Sequence, residues 1–117
     1  MDTKKIGSKA EQIVVKFLRK KRYKIIGINL SYGFGEIDIL ACHKRDIVVV
    51  EVKAKSGGGL GEGHEMVNYF KQQKLLLLAK NLQKEYPKAT IRIDVISVDT
   101  SLIPPQITHF ENAVEEN

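Results

Sequence analysis

Two short runs in the chain carry acids and a lysine at strand spacing: Glu36-Ile37-Asp38-Ile39-Leu40-Ala41 and Val48-Val49-Val50-Glu51-Val52-Lys53. Side chains alternate between the faces of a strand, so Glu36 and Asp38 share one face, and Glu51 and Lys53 share one face of the next strand. The four residues His43-Lys44-Arg45-Asp46 between the runs read as a turn. A four-residue loop pairs Cys42 with Ile47, and counting back sets Leu40 against Val49, Asp38 against Glu51, and Glu36 against Lys53. Opposed side chains have Cβ atoms about 4.5–5.5 Å apart, a spacing at which like charges destabilise the pair. Something positive must sit between the two carboxylates, and Lys53 neutralises one of them but hardly both. Hard oxygen ligands at that spacing suit Mg²⁺ or Mn²⁺, with water and a substrate phosphate completing the shell. Such an ion lowers the pKa of water and offsets charge on a phosphoryl oxygen, while a neighbouring lysine orients the attacking water. A second reading stays open: a cross-strand Glu36–Lys53 salt bridge, with Asp38 and Glu51 turned to solvent at the strand ends.

Positioning these residues is the task of the surrounding elements. The run Ile47-Val48-Val49-Val50, followed by Val52, is apolar on both faces and reads as a central strand. Upstream, Ile6, Ala10, Ile13, Val14, Phe17 and Leu18 recur at helical spacing and predict an amphipathic helix over Ile6 to Lys21 with a basic outer face. A strand through Tyr23 to Ile28 follows, then a loop, Ser31 to Gly35, before the strand Glu36 to Cys42 and its partner Ile47 to Lys55. The glycine-rich segment from Ser56 to Gly63 fits no P-loop and reads as a mobile loop beside the site. A second helix starts near His64 or Asn68 and ends at Glu85 before Pro87, with Val67, Phe70, Leu75, Leu78, Ala79 and Leu82 on its apolar face. Strands over Ile91 to Ile96 and Ile107 to Phe110 close the chain. The order αβββαββ implies a mixed central sheet flanked by helices, in the α/β class.

The 117 residues are expected to form one domain over 1–117, large enough to fold without staples. One cysteine, Cys42, excludes an internal disulfide and a Cys-rich zinc site, and the default address is the reducing cytoplasm. No secretion signal or membrane span is visible. His43 and His64 read as surface residues and His109 as packed or hydrogen-bonded. Nineteen Lys and Arg against fourteen Asp and Glu give a formal charge of +5. Lys4, Lys5, Lys9, Lys16, Arg19, Lys20, Lys21, Arg22 and Lys24 crowd the first 24 positions against Asp2 and Glu11. That asymmetry suits a polyanionic partner, although a basic helix is as often a solvated face.

The paired runs resemble the signatures of the YraN-like family of largely uncharacterised bacterial proteins, whose predicted fold is restriction-endonuclease-like. Gly7-Ser8-Lys9-Ala10-Glu11, Glu65-Met66-Val67, Arg92-Ile93-Asp94-Val95 and His109-Phe110-Glu111-Asn112-Ala113-Val114 extend the resemblance over nearly the whole chain. Departures include Ala10 and Arg22, where the family usually has glycine, and Tyr69, where proline is common. The resemblance implies that Asp38, Glu51 and Lys53 stand at the superfamily's Asp…Glu-x-Lys motif, with acids for magnesium and a lysine for the water. By analogy with Holliday-junction resolvases of this fold, Glu11 on the first helix joins the metal, and Glu36 is a further candidate. Glu11 has a plainer reading as the end of a capping box, Ser8-x-x-Glu11, but the site role is preferred because Ile6 carries the apolar pattern upstream of Ser8. Lys9, Lys16, Lys55 and Lys71 are the candidate nucleic-acid contacts, with Lys71 more plainly read as a solvated lysine. Asp94 could simply pair with Arg92. The implied function is a Mg²⁺- or Mn²⁺-dependent endonuclease on DNA, with branched or damaged DNA as substrate and a homodimer addressing both strands. The alternative is a nucleic-acid-binding or assembly module of the same fold without turnover, or a protein-interaction domain using the basic helix.

Overall fold

The computed structural model describes residues 8–55 and 68–115 of the chain. Helix α1 spans Lys9–Lys20 and helix α2 spans Tyr69–Glu85. Strands β1 (Lys24–Tyr32), β2 (Gly35–His43), β3 (Asp46–Lys55), β4 (Thr90–Asp99) and β5 (Gln106–Phe110) form one sheet in chain order. Three of the strand pairings are antiparallel, while β3 and β4 run parallel with α2 between them in sequence. A parallel pair needs such a crossover, because a tight turn cannot return the chain to the same end of the sheet. The element order is the expected αβββαββ. The predicted glycine-rich loop and the residues Val67, His64 and Glu65–Met66 lie outside the described residues.

Local chemistry accounts for the helix ends. Ser8, with extended backbone at φ −76° and ψ 167°, caps α1: its Oγ accepts the Glu11 N–H at 3.1 Å, and Glu11 Oε1 accepts the Ser8 N–H at 3.0 Å. The helix therefore starts after Ser8. At its other end Arg22 takes φ 71°, and the Arg22 and Tyr23 N–H groups donate to the carbonyls of Arg19 and Leu18. That is the Schellman arrangement, which needs a left-handed residue where glycine is cheapest. Asn68 caps α2 through its Oδ1 and the Lys71 N–H, and Gln83 Nε2 ties off the far end on the Tyr86 and Ala89 carbonyls.

The sheet is buried on both faces. Val14, Val15 and Leu18 of α1 pack with Val48, Val50, Ile96 and Val98, whereas Leu75, Leu78 and Leu82 of α2 pack with Ile47, Val49 and Ile93 on the opposite face. Strand β3 sits at the centre, as its apolar run predicts. The β2–β3 ladder holds Cys42 against Ile47 and Leu40 against Val49, and it tightens the turn to Lys44-Arg45 by pairing His43 with Asp46. The apolar face of α2 is narrower than expected: Phe70 is 78% exposed, because it lies off the stripe marked by Leu75, Leu78 and Leu82. No helix among the described residues is long and apolar enough to cross a membrane.

Candidate functional site

Regular alternation along β2 fails next to Asp38. Ile39 and Ala41 face α1, Leu40 and Cys42 face α2, yet Ile37 also packs on the α2 side. The neighbouring strand has the same fault, with Ile28 facing α1 and Leu30 facing α2 around Asn29, whose φ is 53°. The β2–β3 ladder runs from His43↔Asp46 to Ile39↔Val50 and ends there. One step further, where Asp38 was expected opposite Glu51 in a regular pair, the Asp38 carboxylate instead accepts the Val52 N–H at 2.9 Å. A side chain has taken over a ladder bond, and it anchors Asp38 against the stretch that carries Glu51 and Lys53.

Glu51 is 4% exposed on the α2 face. Its Oε2 lies 3.4 Å from Lys71 Nζ and 3.9 Å from Lys53 Nζ, while its buried Oε1 has no hydrogen-bond partner among the described residues. Burial and the nearby charge of Asp38 raise its pKa from 4.5 to about 7, against the opposing pull of the two lysines. A desolvated carboxylate short of partners beside a second carboxylate can accept a hard cation. The donor set fits Mg²⁺ or Mn²⁺, which are commonly held by one or two carboxylates plus water and phosphate. Among the described residues, no group of three His, Cys, Asp or Glu side chains gathers for a metal.

The remaining predicted residues divide accordingly. Lys71, half-exposed, is more than a surface lysine: it falls four residues before Leu75 on the inward stripe of α2, and its amine reaches Glu51. Lys55 ends β3 on the same face as Lys53, two residues further on. Glu36 is not opposite Lys53; it pairs with Ser31 on β1 and is exposed, because the break near Asp38 removes the shared face on which the expectation rested. Glu11 is engaged in the capping box. The C-terminal end of α1 is held at the Asp46 end of β3, where Lys21 Nζ meets His109 Nδ1 at 2.9 Å and Arg92 bonds both Tyr23 and Asp46. The N-terminal end of α1 thus runs toward the Glu51 end of the sheet, bringing Glu11 and Lys9 to the correct end but on the opposite face. Lys16, Arg19 and Lys20 line a groove of about 580 Å³ against Ile28, again away from Glu51.

Asp94 supplies the internal contrast. It is fully buried, yet it accepts hydrogen bonds from Arg92 Nε (2.9 Å) and Nη2 (3.0 Å), His109 Nε2 (2.7 Å) and the Asn112 N–H (2.9 Å). Because Lys21 donates to Nδ1 of His109, the ring proton sits on Nε2, facing Asp94. Burial raises the Asp94 pKa, but these donors outweigh it and the net shift is downward. Asp94 is therefore a saturated structural acid tying β4, β5 and the exit of α1 together. Glu51, equally buried, is left short of partners.

The sequence model of the Uncharacterised protein family UPF0102 matches residues 10–98, a span that includes all of α1 but its first residue, and Asp38, Glu51, Lys53, Lys71 and Asp94. Relatives carrying the same family name agree over nearly their full length. One from Geobacter metallireducens is 41% identical over 120 residues, covering 98% of this chain and 96% of its own. Others from Thermodesulfovibrio yellowstonii and Alkaliphilus oremlandii are 40% and 39% identical, covering 92% and 94% of this chain and 94% and 97% of their own. Matches of that extent span both helices and every strand of the sheet, and the chain accordingly belongs to UPF0102, the YraN-like family.

Proposed function

We propose that the chain is a metal-dependent phosphodiester hydrolase acting on nucleic acid, DNA in the first instance, in the reducing cytoplasm. The observation that carries this reading is the buried Oε1 of Glu51, without a hydrogen-bond partner among the described residues, beside Asp38 and flanked by Lys53 and Lys71. Asp38 and Glu51 would hold Mg²⁺ or Mn²⁺. When bound, the ion supplies Lewis acidity toward the phosphoryl oxygen and makes water a better nucleophile. The Val52 N–H holds Oδ2 of Asp38 and so orients its carboxylate. Lys53 orients the attacking water and offsets negative charge as water adds to phosphorus and a bridging P–O bond breaks. Lys71 keeps Glu51 ionised when the site is loaded and offers its amine to the phosphate.

A nucleic-acid-binding module without turnover is the rival reading, and it draws on the gathering of fewer than three acids at the site among the described residues. Linear, nicked, single-stranded and four-way-junction DNA would be incubated with the protein in Mg²⁺ or Mn²⁺, beside Asp38→Asn, Glu51→Gln and Lys53→Ala. Cleavage that needs the ion and falls at least ~100-fold in each variant is the expected outcome. Equal cleavage by wild type and variants sinks the catalytic assignment, and salt-sensitive binding without cleavage leaves the module.

A further inference from the structure

We infer that the exposed aromatic pair opening α2 is a stacking platform for unpaired bases, so that the nucleic acid presented to the carboxylate site carries a single-stranded segment. Tyr69 and Phe70 are 67% and 78% exposed, and their rings stand edge to face with centroids 5.9 Å apart. They directly precede Lys71, whose amine lies 3.4 Å from Glu51. Two large rings in water are thus joined through one residue to the buried acid. Beyond them, Tyr69, Gln73, Leu76, Leu77 and Lys80 line a depression of about 350 Å³ along the helix, with the acid Glu115 at its rim beside Lys80.

Charge decides between possible occupants. Helix α2 carries Lys71, Lys74, Lys80 and Lys84, and its one acid is Glu85 at the last position. A second copy packed through this helix would set those lysines against their own kind. A polyanion is attracted by the same charges, and Lys74 lies one turn beyond Phe70, where a backbone phosphate would follow a stacked base. Stacking discriminates by base accessibility: in a duplex each base is covered by its neighbours, whereas an unpaired base offers both faces to an aromatic ring. The platform therefore selects ends, flaps, gaps or single strands over continuous duplex.

This inference rests on the hydrolase reading for its place beside a reacting centre, but its test does not depend on turnover. Binding would be followed by fluorescence anisotropy in EDTA, with a labelled single-stranded oligodeoxynucleotide, a blunt duplex of the same sequence, and a duplex bearing a single-stranded flap. Wild type is expected to prefer the single-stranded and flapped probes. Tyr69→Ala with Phe70→Ala should weaken binding to those two by about 10- to 100-fold while leaving duplex affinity within about twofold. Phe70→Tyr should restore most of the preference. Quenching of a 2-aminopurine in the single strand should disappear in the double variant. Both residues are exposed, so an unchanged melting temperature separates lost stacking from lost folding. Equal losses on all probes, no loss at all, or a duplex preference in wild type would overturn the inference. So would a concentration-dependent dimer that the double variant dissolves. Cleavage that survives Asp38→Asn counts against the hydrolase reading alone and leaves these binding results to be judged separately.

Discussion

Asp94 and Glu51 are two acids buried to a similar degree on one sheet, and their surroundings give them opposite linkages to pH. The Asp94 pKa is lowered from 3.8 by its donors, so its contribution to stability is present above that value and is lost as pH falls through the folded pKa. The Glu51 pKa is raised to about 7, so its contribution is fully present below 4.5 and is lost as pH rises through about 7. In EDTA the wild type should therefore melt lower at pH 8 than at pH 5, by a free energy on the order of 2–3 kcal/mol. Glu51→Gln, which mimics the protonated acid, should raise the melting temperature at pH 8 by roughly 8–12 °C. Mg²⁺ or Mn²⁺ should raise the wild-type value at pH 8 and not that of the variant, because only the ionised pair binds the ion. A wild-type melting temperature insensitive to both ions would remove the metal from the site. Residue types and spacing were enough to single out Asp38, Glu51 and Lys53. The saturation of Asp94 and the unpartnered oxygen of Glu51 were not legible, because both depend on which distant donors the fold delivers.

At the scale of elements, strand and helix periodicity carried most of the architecture, and the misreadings fall where periodicity is interrupted. Strand β3 reads correctly because its apolar run is uniform. Strand β2 misleads at Glu36 because its facing switches near Asp38, and a period-2 count carries no signal for such a switch. Helix α2 was legible in extent, yet Phe70 was assigned inward on hydrophobicity alone. The angular stripe through Leu75, Leu78 and Leu82 selects Lys71 instead, a signal present in the sequence all along. The exit of α1 turns on backbone conformation, which periodicity does not report. Arg22 sits at φ 71°, where a side chain costs roughly 1 kcal/mol relative to glycine. Arg22→Gly should therefore raise the melting temperature by a few degrees, with unchanged circular dichroism. A fall in stability would mean that the exposed guanidinium makes compensating contacts that outweigh the backbone strain.

Over the whole molecule, α1 carries Lys9, Lys16, Arg19 and Lys20 against Glu11, α2 carries Lys71, Lys74, Lys80 and Lys84 against Glu85, and the two helices lie on opposite faces of one sheet. Because the sheet stands between them, a straight nucleic acid cannot lie along both helices at once. Glu51 meets Lys71 on the α2 face, so under the proposed function the sparser lysines of α2, and not the dense basic run of α1, are the set that a bound strand would meet. The composition pointed toward α1 because a sequence displays how many charges a segment carries and not which side of a sheet it covers. Salt dependence separates the two faces, since each lysine that neutralises a phosphate of a single strand contributes about 0.7 to the slope of log K against log salt. Lys74→Ala with Lys80→Ala should reduce that slope by about 1.4 on single-stranded DNA, whereas Lys16→Ala with Arg19→Ala should leave it nearly unchanged. Neither pair touches Glu51, so the comparison reports on where the polyanion lies rather than on the chemistry. The reverse pattern would place the strand in the groove between α1 and β1, separate it from Asp38 and Glu51 by the thickness of the sheet, and turn the basic helix into the principal binding surface.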